Sequence, residues 1–126
     1  MNERGVGKRG ETIAREHLQS LGYRILDHNW RSSEGEIDLV AQDGETIVFV
    51  EVKARTSRRF GHPEDAVTRR KSRRLQRAGL AYLEAHDLLD APWRIDVLAV
   101  DLLPDGSPAR LEHYPDAVDG ERDLEP

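Results

Sequence analysis

The chain has 126 residues, no cysteine and a net charge of −5, which fits one domain with a single modest core and excludes a disulfide framework or a thiolate metal site. No apolar run is long enough to span a membrane, and Met1-Asn2-Glu3-Arg4-Gly5 does not lead into an apolar stretch, so neither a membrane span nor a signal peptide is expected and a cytoplasmic protein is the simplest reading. The net charge hides an asymmetry: residues 101–126 hold eight acids against two arginines, whereas residues 55–77 hold nine basic side chains against Glu64 and Asp65. A local basic field of that kind attracts phosphates even on an acidic molecule.

In chain order, residues 9–21 read as a helix. Ile13, Ala14, Leu18 and Leu21 form an apolar stripe, and Gly22 is a natural stop. Residues 23–30 read as a strand, residues 32–35 as a turn, and residues 36–42 and 46–54 as two strands joined at Asp43-Gly44, a strong hairpin signal. Arg55 to His62 is a basic loop. Pro63 suits the first position of a second helix, with Glu64 and Asp65 in its first turn, running to about residue 86. Asp90-Ala91-Pro92 breaks that pattern before a strand over 93–101, with Ile95, Val97 and Ala99 on one face, and a short strand over 109–114. The order α-β-β-β-α-β-β predicts an α/β fold, a mixed sheet flanked by helices over residues 1–114, with residues 115–126 as an acidic, disordered tail.

Chemistry concentrates on the central hairpin. Alternation puts Phe49, Glu51 and Lys53 on one face of their strand and Glu36 and Asp38 on one face of the strand before it. If the hairpin registers as its turn implies, Asp38 meets Glu51 and Lys53. Acids in apolar strands are costly to bury, and two adjacent carboxylates repel. A divalent cation removes that repulsion and lowers the pKa of water in its shell to about 7 in favourable sites. Oxygen ligands favour Mg²⁺ or Mn²⁺ over structural zinc. Lys53 would then serve a phosphate oxygen or the attacking water. A plain salt bridge from Lys53 to Glu51 or Asp38 stands as the alternative.

Glu11 lies on the apolar stripe of the first helix, which suits a second ligand or a water-orienting role; the helix dipole alone also favours an acid there. Lys71 interrupts the stripe Val67, Leu75, Ala78, Tyr82 on the second helix, either near the site or with its stem along the core edge. Arg70, Arg73, Arg74 and Arg77 have no acid to pair with one turn away, and Arg69 has Asp65 alone, so an anionic backbone is the expected partner of this arginine cluster, together with Arg55, Arg58 and Arg59 of the loop. Gly5-x-Gly7-x-x-Gly10 imitates a dinucleotide fingerprint but lacks the preceding strand it requires; a mobile lead-in to the helix is expected instead. The five histidines have no ligand-type spacing, and Asp96 is expected to be a structural acid.

Gly10-Glu11, Gly22-Tyr23, Asn29-x-Arg31, Gly35-Glu36-Ile37-Asp38-Leu39, Phe49-Val50-Glu51-Val52-Lys53-x-Arg55 and Lys71 resemble the YraN family, over roughly residues 7–114. That family is similar to the PD-(D/E)xK nucleases, near the archaeal Holliday-junction resolvases. The resemblance implies a restriction-endonuclease-like core in which Asp38, Glu51 and the carbonyl of Val52 bind Mg²⁺ or Mn²⁺. Lys53 would serve the nucleophile or phosphate, and Glu11 would assist at the metal. Ile37 stands where the superfamily name has proline, a departure many members share. The implied activity is metal-dependent hydrolysis of DNA phosphodiester bonds, on branched or single-stranded structures, by a homodimer, with DNA favoured over RNA. The alternative is a non-catalytic nucleic-acid-binding or protein-docking module on the same fold.

Overall fold

A computed structural model describes residues 2–56 and 69–117, the first two residues of the second stretch by backbone alone. The elements are α1 (Glu3–Ser20), β1 (Arg24–Ser32), β2 (Gly35–Asp43), β3 (Thr46–Arg55), α2 (Arg69–Ala85), β4 (Trp93–Leu102) and β5 (Pro108–Tyr114). This is the predicted order, in a five-stranded sheet whose strands lie in chain order. All neighbours are antiparallel except β3 and β4, which run parallel. Parallel neighbours need a crossover, and α2 lies within it.

Each face of the sheet carries one helix. Ala14 and Leu18 of α1 pack on Leu39, Ala41, Val48, Val50 and Leu98. Leu75, Ala78, Tyr82 and Leu83 of α2 pack on Ile37, Val40, Ile47, Phe49 and Ile95. The central strands are covered on both sides, which is why β3 and β4 read as nearly continuous apolar runs rather than alternating ones. Phe49 anchors the α2 side, edge-on to Tyr82 at 5.8 Å and to Trp93 at 5.9 Å. Burying such a ring stabilises by about 1.5–3 kcal/mol.

The start of α1 corrects one expectation. The glycines before residue 11 are not a mobile lead-in: the helix begins at Glu3, and the Asn2 side chain caps it by accepting the Gly5 amide at 2.8 Å. Glycine costs about 1 kcal/mol within a helix, so its presence there needs a tertiary reason. At Gly10 there is one, since a Cβ would lie 2.3 Å from the Ala54 Cβ. The helix can approach β3 this closely only because residue 10 has no side chain.

The β2–β3 loop is Gly44-Glu45, with Gly44 at φ 61°, a conformation that glycine adopts without steric conflict. The predicted beginning of α2, including Pro63, Glu64 and Asp65, lies outside the described residues, as do His62, Arg58 and Arg59. Asp96 is fully buried, as a structural acid would be. It accepts from Arg94 Nε at 3.0 Å and from the Asp116 amide at 2.8 Å, and is hydrogen-bonded to His113 Nε2 at 2.8 Å. The Ala117 amide donates to the Ile95 carbonyl, so the chain stays tied to β4 through residue 117; the rest of the acidic segment lies outside the described residues. Among the described residues no helix is long and apolar enough to cross a membrane.

Candidate active site

The site forms where β2 parts from β3. Regular pairing of these strands runs from Asp43↔Thr46 to Leu39↔Val50 and stops there, although β2 continues alongside β1 to Ser32↔Gly35. Asp38 is the first residue past the split. It therefore lacks a cross-strand partner on β3, and its Oδ2 accepts the Val52 amide at 2.8 Å instead. A side chain thus replaces a ladder hydrogen bond, leaving an acid fixed at the head of a cleft.

That cleft has a volume of about 330 Å³ and is lined by Glu3, Gly7, Glu11, Asp38, Val52, Lys53 and Ala54. Three elements meet in it: α1 contributes Glu11, β2 contributes Asp38, and β3 contributes Val52 and Lys53. Glu51, next along β3, is mostly buried and lies between two lysines, with Lys53 Nζ and Lys71 Nζ each 3.2 Å from its Oε1. The Lys53–Glu51 salt bridge considered from the sequence is therefore present. Lys71 does interrupt the buried stripe of α2, and it does so to reach Glu51.

The electrostatics are those of acids held against their preference. Burial, the Glu51 charge and, to a smaller extent, Glu11 and Glu36 push the Asp38 carboxyl up to about 7; the Val52 amide opposes them. Burial also raises Glu51, with Lys71 pulling the other way. Glu11 is held by neighbours on two elements: Asn29 Nδ2 donates to its Oε1 at 3.1 Å, and Arg15 Nη2 lies 3.8 Å away.

Among the described residues no three His, Cys, Asp or Glu side chains form a group able to hold a metal unaided. Two carboxylates, a backbone carbonyl and retained waters are nevertheless a donor set suited to Mg²⁺, which dehydrates reluctantly and often takes only one or two carboxylates. Burial is the main cause that raises both Asp38 and Glu51.

The other predicted residues are more dispersed. Arg55 donates from Nε to Asp101 Oδ1 at 2.9 Å, joining β3 to β4. Arg73 is half-buried on α2, whereas Arg74 and Arg77 are exposed. The side chains of Arg69 and Arg70 lie outside the description, as Arg58 and Arg59 do. Asn29 escaped assignment as a site residue. It sits within β1 at φ 50°, a left-handed conformation uncommon outside glycine, and its side chain reaches Glu11. Its place in the motif Asn29-x-Arg31 was the only signal in the sequence.

The model of the family described as "Uncharacterised protein family UPF0102" matches residues 10–100. A UPF0102 protein of Renibacterium salmoninarum is 50% identical over 108 residues, covering 86% of this chain and 91% of its own. One from Beutenbergia cavernae is 49% identical over 108 residues, with the same two coverages, and one from Geobacter sulfurreducens is 45% identical over 114 residues, covering 90% and 88%. All of the motif residues from Gly10 to Lys71 fall inside the matched region, and the chain belongs to the UPF0102 (YraN) family.

Proposed function

We propose that the chain is a metal-dependent endonuclease that hydrolyses phosphodiester bonds of DNA. The carrying observation is the convergence of Glu11, Asp38 and Lys53 on one cleft at the β2–β3 split, with Glu51 bound to the same lysine. Asp38, Glu51 and the Val52 carbonyl would hold Mg²⁺ or Mn²⁺, which supplies Lewis acidity at the phosphate and a lower pKa for water.

The chain's own residues do the rest. Asp38 is oriented by the Val52 amide, and as a carboxylate it would be one of the groups that hold the cation. Lys53 exchanges Glu51 for a non-bridging phosphate oxygen and offsets the charge that develops there. Lys71 remains on Glu51, fixing that carboxylate while Lys53 moves. Glu11, braced by Asn29, accepts a hydrogen bond from water entering the cleft and orients it. The basic side chains between Arg55 and Arg77 supply positive charge for the nucleic-acid backbone.

A second reading rests on the two lysines at Glu51. They neutralise that acid without a cation, as a non-catalytic nucleic-acid-binding or docking module would require. Incubating labelled duplex, single-stranded, flap and four-way-junction DNA with Mg²⁺ or Mn²⁺ separates the two readings. Cutting should occur on at least one substrate, and Lys53→Ala and Asp38→Ala should each lose at least about 100-fold in rate. Binding without cutting on every substrate, with Asp38→Ala binding as well or better, selects the second.

A further inference from the structure

Beside the cleft lies a second groove, of about 230 Å³, lined by Lys8, Glu11, Thr12, Arg15, His28 and Asn29. Glu11 borders both, so the two are adjacent. Lys8, Thr12 and Arg15 follow one another at four and three residues along α1 and so lie along one side of the helix. His28 and Asn29 face them from β1. Lys8 and Arg15 outnumber the single acid of the lining.

Most polar groups of this groove pair with one another: Glu11 takes Asn29, Arg15 and His28, and Thr12 takes the Lys8 carbonyl. The Nε of Arg15 is buried and, among the described residues, has no hydrogen-bond partner. Its Nη2 lies 3.8 Å from Glu11 Oε1, an ion pair too long to be a hydrogen bond. A buried guanidinium donor without an acceptor is costly, and the guanidinium fork matches the oxygens of a phosphate. Asn29, at φ 50° inside β1, adopts a left-handed conformation that asparagine tolerates better than most residues, and it closes the β1 side of the groove with its side chain on Glu11. The Thr12 hydroxyl already donates to the Lys8 carbonyl, so it shapes the groove without serving as a donor.

We propose that this groove is a phosphate-binding subsite, with Arg15 and Lys8 as its cations, that holds the strand flanking the phosphodiester bound in the cleft. The assignment of that flanking strand rests on the nuclease reading; the assignment of a phosphate does not. The ligand is either an internal phosphodiester or a terminal phosphate, since both present the same oxygens.

The test uses the full chain in EDTA, which prevents turnover. A labelled short single-stranded DNA is titrated at several salt concentrations against wild type, Lys8→Gln, Arg15→Gln and the double variant. Each single variant should bind about three- to tenfold more weakly at low salt, and the double variant should reduce the slope of log affinity against log salt by about 0.7, the loss of one phosphate contact on a single strand. Both residues are partly solvent-exposed, and an unchanged melting temperature confirms the fold of each variant. In parallel, NMR follows His28 and Asn29 as inorganic phosphate, a 5′-phosphorylated oligonucleotide and its unphosphorylated counterpart are added. Shifts with both oligonucleotides, absent in the double variant, establish an internal phosphodiester; shifts only with the phosphorylated one establish a terminal phosphate. Equal affinity and slope in the double variant, or no shift at His28 and Asn29 with any probe, overturns the subsite even if the protein cuts DNA. Binding in EDTA that depends on Lys8 and Arg15, together with no cutting of any substrate in Mg²⁺ or Mn²⁺, sustains the subsite and overturns the nuclease reading.

Discussion

Asp38 carries the tension of the site in one side chain. Its carboxyl is pushed up to about 7 from the ordinary value of 3.8, mainly by burial and the Glu51 charge. The folded state therefore binds this proton more tightly than the unfolded state does. In metal-free protein the group adds stability below its unfolded value, and that stability is lost as pH rises through about 7. Asp38→Asn keeps an oxygen for the Val52 amide but cannot ionise. In EDTA at about pH 8 it should be more stable than wild type by about 2 kcal/mol, a gain that shrinks towards zero near pH 4. Urea unfolding at both pH values checks this. Added Mg²⁺ should then raise the melting temperature of wild type and leave Asp38→Asn unmoved. Equal stability of the two proteins at both pH values would mean that Asp38 is not held against its preference.

At the scale of elements, the close approach of α1 to β3 decides whether Glu11 reaches the cleft at all. The contact of Gly10 with Ala54 sets that approach, and paired substitutions isolate it. Gly10→Ala places a methyl group 2.3 Å from the Ala54 Cβ. Overpacking of this kind outweighs the gain in helix propensity, for a net loss of about 1–2 kcal/mol. Gly7→Ala meets nothing within 4 Å and should stabilise by about 0.5–1 kcal/mol. Urea midpoints that move in the same direction would refute the packing account.

The same contact shows where sequence reading reaches its limit. Three glycines in six residues look like a helix breaker because propensity is local, whereas the reason for Gly10 sits on another element. The β2–β3 hairpin was legible because alternation and a turn glycine are local signals, and both helical stripes were legible for the same reason. The register at Asp38 was not, since Asp43-Gly44 predicts pairing that continues past Leu39. The parting of the strands there depends on how β2 follows β1. Of the site, Asp38, Glu51, Lys53, Glu11 and Lys71 stood out as charges within apolar patterns. Asn29 did not, because a polar residue at a strand position breaks no pattern, and its positive φ arises only in the assembled fold.

Across the whole molecule, charge is divided between a basic segment and an acidic end. Residues 118–126 hold four acids against Arg122, while residues 55–77 hold nine basic groups against two acids. The Asp116 and Ala117 amides are hydrogen-bonded to Asp96 and Ile95, so removing residues 118–126 leaves those ties in place. The two ends of the charge distribution act on a bound polyanion with opposite sign: the basic segment draws it in, and nearby acids lower the potential it meets. Deleting residues 118–126 should therefore tighten binding of single-stranded DNA several-fold at low ionic strength. The advantage should vanish as the Debye length contracts from about 10 Å at 0.1 M towards 3 Å at 1 M salt. Fluorescence anisotropy over that range distinguishes screening from a direct contact: a gap that closes with salt is electrostatic competition by the acidic end, whereas identical salt-dependent curves for the two proteins would show that the end exerts no field at the binding surface.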